Sequence, residues 1–250
     1  MTNKAWITSA HRGFVEGELR ENSLAAYYNA YLHGADMIET DARFTRDGVL
    51  VVNHDETAKG FDGQGNAVTL AVAESTAEEV CSMILSSDEK WGIQRIPTLE
   101  QVLHLAYHTG LHVNIDLKDG YASAEAVARL VLRCGMIGRV VYALNGSGMQ
   151  GIRTILEIDP DARFIDHGLW FAENVQELAE RGKRCFCYTE DTSERNVNAI
   201  RNLGCLLALI SLDETNYAES IARKPDMCEF LHTSDFAAIE ADYAKELKLY

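Results

Sequence analysis

Proline is scarce in this chain: 3 among 250 residues, with 18 glycines and no block of either. That scarcity excludes a Pro-rich linker or a long low-complexity tract, and at 47% hydrophobic residues there is material for a sizeable core. Cations are also in deficit. Lys and Arg number 23 against 38 Asp and Glu, a formal net charge of -15, which excludes unassisted binding to a nucleic-acid backbone or an anionic membrane surface. Any anionic ligand needs local cations. No apolar run is long enough to span a bilayer, so stable membrane insertion is not expected. The 6 Cys, at 81, 134, 185, 187, 205 and 228, show no CxxC spacing. With no apolar leader ahead of the first strand, they read as reduced thiols in a cytoplasmic protein.

What is present is a rhythm. Residues 5–10 form a β-branched, apolar strand, and Leu24, Tyr28, Tyr31 and Leu32 recur at helical spacing after an N-cap at Asn22 or Ser23, with Gly34 as the stop. Residues 37–44 and 49–54 flank Arg46-Asp47-Gly48, the signature of a hairpin. The stretch 56–70, rich in Gly and polar groups, reads as an excursion, and 56–97 as a whole as an insertion or lid. Helices are expected at 75–85 and at 98–107, the second with a capping box from Thr98 to Gln101. After a strand at 111–117 come helix 122–134, strand 139–144, helix 149–157, strand 162–166, helix 173–181 and strand 184–189. Helix 193–202, strand 206–212, helix 215–222, strand 227–233 and helix 236–247 complete the chain. Strands alternating with helices call for a parallel sheet. About eight such units predict a single-domain (β/α)8 TIM barrel with a small insertion after the second barrel strand. An open doubly wound sheet is the alternative, disfavoured because no GxGxxG follows the first strand.

Chemistry-bearing residues gather where strands stop. His11 follows the first strand and His54 ends the hairpin; Glu39 and Asp41, two apart on one strand, share a face and look like half of a metal site. Asn114, Asp116 and Lys118 share a face on the 111–117 strand and its exit. His104 and His108 flank an apolar helical stripe and read as surface residues. Gly146-Ser147-Gly148 reads as a tight βα loop, and Cys185 and Cys187 as packing residues.

The order His11-Arg12-Gly13, Glu21-Asn22, Glu39-x-Asp41, His54-Asp55, then Asp116-x-Lys118, resembles the glycerophosphodiester phosphodiesterase family. The match is densest over residues 5–55 and returns at 96–100 and 114–118. The resemblance implies a TIM barrel, one divalent cation, and hydrolysis of small-molecule glycerophosphodiesters to glycerol 3-phosphate and an alcohol, by a single unit or a homo-oligomer. It places the catalytic histidines on His11 and His54, the phosphate-binding cations on Arg12 and Lys118, and the metal carboxylates on Glu39, Asp41 and Asp116. The family usually has Glu at the position of Asp116, a Leu-Asp-Arg-Thr-Thr continuation after His-Asp, and a late Trp-Thr-Val-Asn segment; this chain has none of these.

That reaction needs charge neutralisation and two proton transfers. An all-oxygen carboxylate set favours a hard ion, Mg2+ or Ca2+, with Mn2+ also admissible. Arg12 offers the phosphate a planar fork and Lys118 a point charge; either His can serve as acid or base. Glu21 can orient Arg12, and Asn22 is either a helix cap or a ligand contact. Two other readings remain open: a phosphodiesterase of phospholipid or lysophospholipid head groups, and a non-catalytic barrel that binds a phosphorylated ligand.

Overall fold

A computed structural model describes residues 8–143 and 148–166, strands at 185–189, 206–211 and 236–241, and scattered positions from 176 to 202. The chain begins with β1 (Thr8–Ala10), α1 (Leu24–Leu32), β2 (Met37–Phe44) and β3 (Leu50–Val52). The insertion follows: β4 (Thr57–Phe61), β5 (Ala67–Ala71), α2 (Ala77–Ser82), β6 (Ile84–Asp88) and β7 (Gly92–Arg95). Next are α3 (Leu99–Thr109), β8 (His112–Leu117), α4 (Tyr121–Arg133), β9 (Val140–Ala143), α5 (Gly148–Ile158) and β10 (Arg163–Asp166). Strands β11 (Cys185–Thr189), β12 (Leu206–Ser211) and β13 (Phe236–Ala241) complete the described elements.

The parallel order β1-β13-β12-β11-β10-β9-β8-β2 closes through β1 against β2, which makes an eight-stranded (β/α)8 barrel. Strand alternation sorts its side chains. Ile38, Val113, Ile115, Leu117, Tyr142 and Phe164 face outward into the core shared with Leu99, Leu103, Val127, Val131, Ile152 and Ile155 of α3, α4 and α5. Each such fully buried side chain contributes about 1.5–3 kcal/mol. Met37, Val141, Ala143 and Ile165 form a separate apolar cluster on the opposite faces of β2, β9 and β10. On that inner face the next positions of β2 and β8 are polar, with Glu39 beside Asn114 and Asp41 beside Asp116.

Opposite β8, one edge of β2 serves two partners. Met37 and Ile38 pair with β1, whereas Ala42, Arg43 and Phe44 pair antiparallel with β3 across the Asp47-Gly48 turn. Short β1 therefore frees the loop from His11 while β3 takes over its edge, held also by the Val52 N–H donating to Pro97 O at 3.0 Å. The insertion is a four-stranded antiparallel sheet, β5-β4-β6-β7.

Several expectations change. The 56–70 excursion is mostly the β4–β5 hairpin, turned by Asp62, whose carboxylate accepts from the Gln64 and Asn66 N–H groups. The helix expected at 75–85 is only α2; Met83 is extended and residues 84–88 are strand β6, because Asp88 Oδ1 accepts from the Lys90 and Trp91 N–H groups and turns the chain back into β7. Residues 236–241, expected within a helix, are β13: the Ala-rich run is claimed by pairing with β1 and β12, an override of local propensity by tertiary context. The strand expected at 227–233, helix 215–222 and the 146–147 part of the Gly-Ser-Gly loop lie outside the described residues. In α1 Ser23 is the N-cap, accepting from the Ala26 N–H, and the buried face is Ala26, Tyr27 and Ala30, leaving Tyr28, Tyr31 and Leu32 exposed. Small alanines let this helix approach the barrel more closely than tyrosines could.

That approach rests on Gly13, whose φ is +92° and whose added Cβ would stand 2.8 Å from the Ala26 carbonyl carbon and Cβ. Gly13→Ala is expected to cost at least about 2 kcal/mol, from left-handed strain and overpacking together, read from urea unfolding. A parent-like midpoint and slope would contradict this packing of the His11-Arg12 loop on α1.

Candidate active site

Glu39, Asp41 and Asp116 are 4%, 1% and 3% exposed, and each offers a carboxylate oxygen within 4.8 Å of the other two. Buried like charges of this kind need counter-cations. Lys118, at the exit of β8, supplies one: its Nζ lies 2.8 Å from Asp116 Oδ2 and 3.1 Å from Asp41 Oδ1. Burial opposes the ammonium charge, but the attraction of Asp116 and Asp41 outweighs it and holds the Lys118 pKa above its ordinary value. Arg12 supplies the other. Its backbone N–H donates to Glu39 Oε2 at 3.0 Å, its Nε lies 3.4 Å from Asp41 Oδ2, and its Nη1 donates to Glu21 Oε1 at 3.0 Å. The donor set is all oxygen and suits a hard divalent cation.

The loop that carries Arg12 is strained and tied. Arg12 and Asn22 both have positive φ, +55° and +56°, a conformation that costs a non-glycine residue about 1 kcal/mol. The Asn22 N–H donates to Arg12 O at 2.9 Å, and Asn22 Nδ2 donates to Asp41 Oδ2 at 2.7 Å. Tyr27 Oη donates to Asn22 Oδ1 at 2.7 Å and lies 2.8 Å from Thr40 Oγ1. Full burial pushes the Tyr27 phenol well above its ordinary pKa, so it stays a donor. Asn22, either cap or contact in the sequence reading, is thus a support of the carboxylate cluster.

His11 occupies the turn directly after β1 and is partly buried; His54 follows β3 with its side chain 38% exposed. His54 Nδ1 lies 2.8 Å from Asp55 Oδ1. A carboxylate only accepts, so Nδ1 is the donor in this contact, which leaves Nε2 outside it. The same bond holds the Asp55 carboxyl below its ordinary pKa. The His54 backbone is held in turn by Arg43, whose Nε and Nη2 donate to His54 O at 3.1 and 2.8 Å. Asp119 accepts from the Phe44 N–H at 2.6 Å and lies 3.5 Å from Arg43 Nη1, which links the residue after Lys118 to the end of β2.

Arg43, Asp119 and Tyr27 were missed from sequence. Arg43 had a signal, since it is two residues beyond Asp41 and continues the same strand face. A cavity of about 750 Å³ is lined by Arg12, Glu21, Asn22 and His54 together with Lys59, Phe61, Val68 and Leu85 of the insertion. Its size is that of a small-molecule site.

A model of the glycerophosphoryl diester phosphodiesterase family matches residues 11–140. A glycerophosphodiester phosphodiesterase of Caldanaerobacter subterraneus subsp. tengcongensis is 40% identical over 117 residues, 46% of this chain and 46% of that protein. The chain spans about half the length of the curated relatives it matches. Among solved structures, a glycerophosphodiester phosphodiesterase from Agrobacterium tumefaciens superposes with a TM-score of 0.72 at 23% identity, over 98% of this chain and 100% of that one. An Oleispira antarctica phosphodiesterase in complex with its product sn-glycerol-3-phosphate gives 0.71 at 16% identity, over 97% and 95% of the two chains. These structural likenesses bear on the fold and agree with the barrel.

Lys118→Met removes the cation between Asp41 and Asp116 and is expected to cost about 3–5 kcal/mol of unfolding free energy at neutral pH. Because folding raises the Lys118 pKa, its stabilisation is complete below the unfolded value of about 10.4 and fades as pH climbs through the folded value. The parent should therefore lose stability at alkaline pH through a component that Lys118→Met lacks. Superimposable stability–pH curves for the two proteins would contradict this role.

Proposed function

Since the chain belongs to the glycerophosphoryl diester phosphodiesterase family, we propose that it hydrolyses glycerophosphodiesters to sn-glycerol 3-phosphate and an alcohol, with His11 and His54 moving the protons. The observation that carries this reading is the convergence of Glu39, Asp41 and Asp116 with Arg12 and Lys118, adjoining a cavity that His54 also lines. Three carboxylates against two cations leave one negative charge in excess, so a divalent ion would make the cluster attractive to a phosphodiester anion. Glu39, Asp41 and Asp116 would hold one Mg2+ or Ca2+, with Mn2+ as an equivalent, which when bound supplies Lewis-acid polarisation of phosphate and hydroxyl oxygens.

The protein's own groups do the rest. Arg12, oriented by Glu21, and Lys118 bind the phosphate oxygens. One imidazole takes the proton from the neighbouring glycerol hydroxyl as its oxygen attacks phosphorus. The other protonates the departing alcohol oxygen as its P–O bond breaks, and water then opens the cyclic phosphate with the proton roles reversed. Asp55 keeps Nε2 of His54 available for one of these transfers. Arg43 fixes the backbone from which that ring projects.

The insertion presents Phe61, Val68 and Leu85 to the cavity, and Val15 and Phe61 are exposed there. This apolar wall suits the acyl chain of a lysophospholipid and makes cleavage at its head group the second reading. A cytoplasmic setting is part of this reading, and among the described residues no helix is long and apolar enough to cross a membrane.

The test is glycerol 3-phosphate release from a panel of glycerophosphodiesters and lysophospholipids. Activity is expected to vanish in chelator and return with Mg2+, Mn2+ or Ca2+, and His11→Ala and His54→Ala are each expected to lower kcat by at least about 100-fold. Full turnover in chelator would remove the metal from the reaction, and near-parental kcat in either variant would remove that histidine.

A further inference from the structure

A second set of ligand-type side chains converges on the outer layer of the barrel, away from the carboxylate cluster. Glu100 and His104 stand four residues apart on α3 and so share one face of that helix. Cys134 is the C-cap of α4. One ligand atom from each of the three lies within 4.8 Å of the other two, with Glu100 and His104 exposed and Cys134 nearly buried at 9%. Both helices are firmly seated. Leu99, Val102, Leu103 and Ala106 anchor α3 beneath its capping box, and Val127 and Val131 anchor α4. The convergence is thus between two packed elements and not between loose loops. His104 is on the surface, as its place on the flank of the apolar stripe implies, but it has company there that a one-dimensional reading cannot see.

We propose that Glu100, His104 and Cys134 form a binding site for a divalent transition metal ion of the Zn2+ type, distinct from the inner carboxylate cluster. The donor chemistry selects the ion. A thiolate, an imidazole and one carboxylate suit Zn2+ or Co2+, whereas Mg2+ and Ca2+ prefer all-oxygen shells such as that of Glu39, Asp41 and Asp116. Three protein ligands with two of them exposed leave a further position to water. Binding breaks the Cys134 S–H bond, forms a sulfur–metal bond and releases the proton to solvent, with no change of oxidation state. The negative end of the α4 dipole lies at this C-cap and favours a cation. Burial and the nearby Glu100 charge raise the Cys134 thiol above its ordinary pKa. The bound ion clips the start of α3 to the end of α4, the two helices that flank β8 and its Asp116 in sequence.

The test titrates Co2+ alone into the full chain after chelation and dialysis, reading near-ultraviolet absorbance. A sulfur-to-cobalt charge-transfer band is expected to saturate at one equivalent. The all-oxygen inner site cannot produce that band, and Cys134→Ser separates Cys134 from the other five cysteines. Cys134→Ser should abolish the band, and His104→Ala and Glu100→Gln should each weaken Co2+ binding by at least about tenfold. Asp116→Asn should leave the band unchanged. No band in the parent, a band that survives Cys134→Ser, or parental affinity in both His104→Ala and Glu100→Gln would overturn the site. The last two variants change exposed side chains, so their result does not depend on how Cys134→Ser folds.

Discussion

Lys118 between Asp41 and Asp116 is the contact on which the mouth of this barrel depends. Two carboxylates directly opposite each other on adjacent strands would repel and resist burial. The ammonium turns that register from a liability into a clamp between β2 and β8. Arg12 adds a second cation from the other side, and the strain of its left-handed backbone is held by the Glu39 carboxylate and by Asn22. Supporting polar groups run outward in one chain, from Asp41 to Asn22 to Tyr27 to Thr40. Such a network is specific because every buried member has a partner, and losing one exposes the next.

The barrel explains why these residues can coexist. The inner face of β2 changes from Met37 to Glu39, Asp41 and Arg43 within one strand, so the apolar interior gives way to charge over a few residues. Because β1 is short and β3 replaces it along the upper half of β2, two loops reach the same rim: the His11-Arg12 turn and the His54-Asp55 turn. The insertion then lines part of the cavity without contributing strands to the barrel sheet.

Much of this was legible in the chain because it follows short-range rules. The Asp47-Gly48 turn, the two-residue spacing of Glu39 and Asp41, and the Thr98 capping box are local signals, and each appears in the structure as read. What stayed hidden is set by tertiary partners. Phe236–Ala241 has the composition of a helix and is a strand because β1 and β12 border it. Helical spacing pointed to Leu24, Tyr28, Tyr31 and Leu32 on α1, whereas close packing buries Ala26, Tyr27 and Ala30. Period two puts Arg43 on the face of Glu39 and Asp41, but its donation to a backbone carbonyl eleven positions away is set by tertiary structure. His104 read as a surface residue because its neighbour Cys134 is at the end of another helix.

Asp116 is where the central assignment of Glu39, Asp41 and Asp116 as a divalent-cation site is most exposed, since it is shorter than the Glu usual there in the family the chain resembles. Calorimetric titration of Mg2+ or Ca2+ at fixed pH into the parent, Asp116→Asn and Asp116→Glu reads that site directly, because neither ion favours a thiolate or imidazole. Strong weakening in Asp116→Asn, with binding retained in Asp116→Glu, is the expected result. Affinity in Asp116→Asn equal to that of the parent would contradict it and leave Asp116 a structural partner of Lys118 alone.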